Sequence, residues 1–253
     1  MLDGADTGWL KPLSTLAREG AVLRKLGLIG GMSWYSTRTY YDHINRIIQT
    51  RTTPISSAPL LIENLDFAPL ARASSAEDWG RAAQVIGDSA VRLEQAGAGA
   101  VVIAANSMHR VYNEVSARVS IPVLHIADCV GRRMEANGVK VAALLGPRNV
   151  MLEDFYRHRL ISHGVSLLAP EVTVVDQVDR VIYDELVRGK VTRAAERSLR
   201  TIVTNLEKAG ARAIVLAGTE LDSVVDVDAN VLPIYDGALI HAEAAAEWIL
   251  GEA

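Results

Sequence analysis

The chain has 253 residues, nearly half of them apolar but only 5% aromatic, so its core must be built from Ala, Val, Leu and Ile. A net charge of −4 with no basic stripe interleaved with aromatics argues against nucleic acid, and the single Cys129 excludes an internal disulfide and a Cys-rich zinc site. No apolar run reaches the roughly 18–20 residues that span a bilayer, and the first 24 residues carry charges without an apolar core. A cytoplasmic protein with an N-terminal extension over 1–24 is therefore expected.

In chain order, a strand over Lys25–Gly31 runs into Gly30-Gly31-Met32-Ser33, and a helix follows over Trp34–Gln49 with Ser33 as its N-cap. The two glycines allow close backbone approach, and free N–H groups at a helix start attract a carboxylate or phosphate. Strands are expected over Pro59–Leu65, Ala100–Ala105 and Pro122–Ile126, with an amphipathic helix over Glu77–Gln95 and Asp128 capping the helix after the fourth strand. The later half reads as strand Val139–Leu145, helix Val150–His163, strand Val165–Ala169 and helix Val172–Arg188, whose last turn ends at Gly189-Lys190. Helix Val191–Ala209, strand Ala213–Ala217, strand Val231–Tyr235 and helix Ala238–Leu250 complete the chain.

Two stretches organise this series. Ala98–Arg110 (AGAVVIAANSMHR) and Ala211–Leu221 (ARAIVLAGTEL) are β-branched runs that stop abruptly at small and polar residues, as buried parallel strands do where they open into a ligand crevice. Glu94–Ser107 lies on Glu207–Glu220 without a gap, with about seven identities in 14 positions. Leu28-Ile29-Gly30 answers Leu144-Leu145-Gly146, and Ile121–His125 answers Leu232–Asp236. The chain is thus two copies of one α/β unit offset by roughly 110 residues, giving two Rossmann-like parallel-sheet domains related by a pseudo-twofold axis. The expected division is 25–126 plus 237–253 for the first domain and 127–236 for the second. Their strand ends would face one cleft.

Gly30-Gly31-Met32-Ser33-Trp34, Tyr40-Tyr41 with Ile44-Asn45, Asn106-Ser107-Met108-His109, Glu153–Arg157, Gly218-Thr219-Glu220 and Ile240–Ala245 together resemble the aspartate/glutamate racemase family, in particular its broad-specificity branch. The resemblance covers about residues 25–250. It implies a cofactor-independent, homodimeric isomerase that acts on a small carboxylate or amino acid such as aspartate or glutamate. In that chemistry one residue removes the α-proton and another returns a proton to the opposite face, and cysteine suits both steps. The two cysteines would fall where this chain has Ala105 and Gly218, neither of which carries a proton. A basic residue that the family often supplies would fall near Pro59.

His109 and Glu220 are the candidate replacement acid/base groups. Asn106 and Thr219 match family residues that bind the substrate's amino and carboxylate groups; Ser107, Gly31, Met32 and Lys190 complete the expected binding set. Each has a simpler use, as a helix cap, core filler or helix-end cation. Cys129 reads as a small hydrophobe, Asp236 as a cap or an acid, and Arg148 and Tyr156-Arg157 as scaffold. The alternatives are a decarboxylase, lyase or other isomerase of small carboxylic acids, or a non-catalytic metabolite binder, since fold does not dictate function.

Overall fold

The computed structural model describes residues 22–71, 73–225 and 231–252. The extension expected over 1–24 lies outside these, apart from Val22–Arg24. Two four-stranded parallel sheets form the molecule. The first has the order β2-β1-β3-β4, from Leu26–Gly30 (β1), Leu60–Asn64 (β2), Ala100–Ile103 (β3) and Val123–Leu124 (β4). The second repeats it as β6-β5-β7-β8, from Val141–Leu145 (β5), Ser166–Leu167 (β6), Ile214–Leu216 (β7) and Ile234–Asp236 (β8). The internal repeat read from the sequence is therefore a repeat of topology as well.

Both faces of each sheet are covered, so strand residues are apolar on both sides and alternate between two cores. Ala100 and Val102 of β3 join Leu26 and Leu28 in one cluster, while Val101 and Ile103 join Ile29 in the other. In β5, Ala142 and Leu144 face one core and Ala143 and Leu145 the opposite one. The first sheet is covered on one side by helices Trp34–Arg51 (α1) and Gly237–Leu250 (α9), through Tyr40, Ile44, Ala242 and Ile249. On its other side lies Ala76–Gln95 (α2), through Trp79, Ile86 and Leu93. The second sheet has Ile126–Ala136 (α4) and Asp154–Ser162 (α6) on one face, with Val172–Arg180 (α7) and Arg193–Lys208 (α8) on the other. Tyr112–Ser116 (α3) and Arg148–Leu152 (α5) are single short turns.

Several local expectations are corrected. The helix expected over 150–163 is broken, because Glu153 is extended (φ −88°, ψ 158°) between α5 and α6. The helix expected over 172–188 keeps α geometry only to Arg180; Val181–Glu185 widens into a π turn and Leu186–Arg188 tightens to 3₁₀ before Gly189 turns left-handed at φ +71°. Asp128 does not cap α4. The His125 ring does so, with Nδ1 accepting the Ala127 N–H at 3.1 Å, and Asp128 pairs with Arg159. Ser33 stands at the N-cap position of α1, but its hydroxyl accepts from no backbone N–H of the helix.

Candidate active site

The carboxyl ends of β1, β3, β5 and β7 open on one narrow cleft between the two halves, as expected for doubled α/β units. It encloses about 310 Å³ of atom-free space, part of it open to solvent. The first half lines it with Met32, Phe67, Ala105, Asn106 and Ser107. From the second half come Pro147, Gly218, Thr219 and Glu220, together with Ile182, Tyr183 and Val187 of the π and 3₁₀ turns after α7.

The contacts across the cleft follow the pseudo-twofold. After β7, the chain enters a 3₁₀ turn over Thr219–Ser223, and Glu220 reaches the start of α1 in the opposite half. Its Oε1 accepts from Ser33 Oγ at 2.8 Å and from Ser36 Oγ at 3.3 Å. After β3, the equivalent 3₁₀ turn over Ser107–Val111 approaches the start of α5, where Asn149 Nδ2 donates to the Ser107 carbonyl at 3.4 Å. Each strand-end turn is thus tied to the first helix of the other copy. The Met32–Ser33 peptide is cis, and Gly31 before it has φ +87°.

Electrostatically the cleft is built around one carboxylate. Burial raises the Glu220 pKa above its ordinary value, and the Ser33 and Ser36 hydroxyls and its own backbone N–H offset only part of that rise. Opposite it, Asn106 is 3% exposed, and neither its Oδ1 nor its Nδ2 has a hydrogen-bond partner. A buried amide with both ends unsatisfied costs free energy until a ligand or water completes it. The Tyr156 hydroxyl, also buried and unpartnered, and Asn106 Oδ1 both crowd Gly237: a Cβ there would lie 3.2 and 3.3 Å from them.

Ala105 and Gly218 both line the cleft. Gly218 has an ordinary extended backbone (φ −144°, ψ 118°), and the nearest atoms to a Cβ added to it would be Ile182 Cδ1, Leu221 Cδ1 and Pro147 Cδ, each at 3.4 Å. Nothing in its conformation requires glycine.

Of the residues expected at the site, Met32, Ala105, Asn106, Ser107, Gly218, Thr219 and Glu220 are brought together. Gly31 is placed behind the wall, where a Cβ would fall 2.0 Å from the Leu65 carbonyl oxygen. Lys190 is exposed and away from the lining. His109 is 1% exposed and sits beneath the cleft: Nε2 donates to the Ile103 carbonyl at 3.2 Å, and its ring lies 4.5 Å from His125 and 5.5 Å from His241. Burial holds all three imidazoles well towards the neutral form, with His241 lowered to about 4. His241 Nδ1 accepts from the Tyr40 hydroxyl at 2.8 Å, and Nε2 donates to the Leu124 carbonyl.

Asp236 caps α9 by accepting from Ala238 and Leu239 N–H, and burial pushes its pKa up to about 7. Burial likewise pushes the Cys129 thiol to about 11, away from the cleft. Arg148 pairs with Asp176, and Arg157 reaches the Leu168 carbonyl.

Sequence reading missed Ser33 and Ser36 as partners of Glu220. The signal was present in the repeat: with Gly30 on Gly146, Ser33 falls on Asn149, and both serve the opposite copy's strand-end turn. Ile182, Tyr183 and Val187 had no such signal, since they reach the cleft only because α7 loosens.

Two parallel α/β units sharing a cleft at their strand ends, with polar turns crossing between them, define an architecture for small-molecule chemistry. The family model for Asp/Glu/hydantoin racemases matches residues 29–245, and the chain belongs to that family. A curated relative, the broad specificity amino-acid racemase RacX of Bacillus subtilis (strain 168), is 24% identical over 165 residues, 64% of this chain and 70% of the relative. Among solved structures, a candidate Asp/Glu racemase from Yersinia pestis is 35% identical with a TM-score of 0.83, covering 90% of this chain and all of the other. An aspartate racemase homologue from Pyrococcus horikoshii OT3 is 28% identical with a TM-score of 0.78, covering 90% of this chain and 99% of its own. Among the described residues, no helix is long and apolar enough to cross a membrane and no cluster of three or more His, Cys, Asp or Glu is placed to hold a metal ion.

Proposed function

We propose that this chain is an isomerase that racemises or epimerises a small carboxylate, an amino acid such as aspartate or glutamate being the first case to test, without the family's cysteine pair. One observation carries this reading: Glu220, the one buried carboxylate among the lining residues, stands two residues beyond Gly218 in the second half's wall, across from the first half's Ala105 and unsatisfied Asn106 amide. A carboxyl whose pKa is raised by burial is a stronger base once ionised and a usable acid near neutral pH. Glu220 takes the α-proton. The electron pair left by the broken Cα–H bond passes into the substrate carboxylate as an enediolate. Asn106 Nδ2 and the Ser107 and Thr219 hydroxyls would hold that carboxylate and its developing charge. Water protonates the opposite face, and the hydroxide formed is neutralised by the proton on Glu220, so inversion and solvent exchange accompany each other.

The same reading divides the chain into 25–126 plus 237–253 and 127–236 around the cleft, and makes the protein a cytoplasmic homodimer, a state that light scattering would read directly. A second reading, a decarboxylase, a lyase or a non-catalytic binder of a small carboxylate, is favoured by one specific observation: Ala105 and Gly218 bear no group that can move a proton. Proton NMR in D₂O separates the two. Loss of the α-proton signal of an L- or D-amino acid, at a rate proportional to protein concentration, supports the isomerase; ligand-induced thermal stabilisation without exchange overturns it in favour of the second.

A further inference from the structure

We propose that the cleft selects substrates whose α-carbon carries an uncharged apolar side chain over the dicarboxylic amino acids, an inference that rests on reading this cleft as the site of α-carbon chemistry. The lining divides into two kinds of surface. Asn106, Ser107, Thr219 and Glu220 form a polar strip along the two strand-end turns. Lining the remaining space are Met32, Phe67, Pro147, Ile182 and Val187, with Tyr183 the one residue among them that carries a polar group. Ala105 belongs to the core cluster that contains Met32, and the empty Cβ position of Gly218 is bounded by Ile182, Leu221 and Pro147 carbons at 3.4 Å. The smallest residues of the site therefore open onto apolar walls.

The polar strip can satisfy one carboxylate, through the Asn106 amide and the hydroxyls of Ser107 and Thr219. A second carboxylate would leave the strip for the apolar wall, where desolvation opposes it. Turned back towards the strip, it would meet Glu220, whose Oε1 already receives the Ser33 and Ser36 hydroxyls, and like charges repel there. An aliphatic side chain meets neither penalty and gains contact with Ile182, Val187 and Met32. One methylene in such a pocket is worth about 10- to 200-fold in selectivity.

The test uses the full-length wild-type chain and measures dissociation constants by calorimetric titration for the L and D forms of leucine, methionine, aspartate and glutamate. Leucine and methionine are expected to bind at least about 10-fold more tightly than aspartate and glutamate. Gly218→Val, which fills the apolar space, is expected to weaken leucine at least about 10-fold and by a larger factor than it weakens aspartate; an equal loss for both counts against the proposal. Ile182→Thr, on the facing wall, weakens leucine without adding bulk. Aspartate or glutamate binding as tightly as leucine, or no binding of leucine and methionine, overturns the proposal. The D₂O exchange measurement run on the same ligands keeps the two claims apart: leucine that binds tightly without losing its α-proton refutes the isomerase reading while the selectivity stands.

Discussion

The two strand-end turns, Ala105-Asn106-Ser107 after β3 and Gly218-Thr219-Glu220 after β7, descend from one motif and have come to differ in charge. The first presents an amide with both ends unsatisfied; the second presents a carboxylate already held by two hydroxyls from the opposite half. Their connections across the cleft are otherwise matched, Ser33 to Glu220 on one side and Asn149 to Ser107 on the other. A duplicated fold supplies two equivalent positions, and the residue types placed there differ; in the function proposed above, one side holds the substrate and the other moves a proton. The glycines of the two halves show the same division. Gly31 is required by its backbone, whereas Gly218 is not.

The largest effect should come from the carboxylate. Glu220→Gln keeps the shape and an acceptor for Ser33 and Ser36 but cannot take a proton, and α-proton exchange in D₂O should fall by about 10²-fold or more. Ser107→Ala, at the equivalent place in the other turn, should raise KM with little change in kcat. Equal losses of kcat in both variants would erase the functional asymmetry.

Gly31→Ala should cost about 3 kcal/mol or more of stability by urea denaturation. The left-handed φ is strained for alanine, and the new Cβ would collide with the Leu65 backbone. A loss under about 1 kcal/mol would show that the β1 end can rearrange.

The buried histidines sharpen the comparison between the cleft and the layer beneath it. His109, His125 and His241 have folded pKa values depressed by burial, so the unfolded chain binds protons first as pH falls. Their contribution is complete above about pH 6.5 and is lost as pH falls towards the folded values, about 4 for His241. Asp236, raised to about 7, works in the opposite sense, adding stability as pH falls from 7 towards 4. Burial raises Glu220 and Asp222 in the same sense as Asp236 and lowers His43 in the same sense as the other imidazoles; the imidazoles outweigh the carboxyls, and a net loss of stability is expected between pH 7.5 and 5, measurable by urea titration at the two pH values. No loss would mean that the imidazoles titrate in place.

The smallest effect belongs to Gly218→Ala. With an extended backbone and only ordinary contacts awaiting the methyl, the variant should be more stable by about 0.5 kcal/mol, through a less flexible unfolded chain. A large loss would show that the cleft needs the empty volume to keep its shape.

Much of this was legible in the sequence because it depends on local pattern and repetition. The β-branched runs, the doubling, and the polar ends at Asn106-Ser107 and Thr219-Glu220 were all visible, since a buried parallel strand must be apolar on both faces and must end where polarity begins. Element ends were legible only to within a few residues. Asp128 looked like a cap because its type and place suited one, yet His125 stands closer to the free N–H groups and Arg159 draws Asp128 away. The helix over 172–188 kept its periodicity past the point where its geometry changes.

The sequence by itself determined the family, the two-sheet architecture and the polar and small residues that meet at the cleft, because those follow from hydrophobic period and repeat. Only tertiary structure decided which polar residues line the cleft and which face the core. His109 and Asn106 are three residues apart and both buried, yet the imidazole Nε2 bonds the Ile103 carbonyl while both ends of the amide are left without a hydrogen-bond partner. It likewise decided that the Ser33 hydroxyl donates to Glu220, 187 residues away, rather than capping a backbone N–H of its own helix. Such choices are set by which groups compete for each hydrogen bond once distant segments are packed together, and no local pattern encodes that competition.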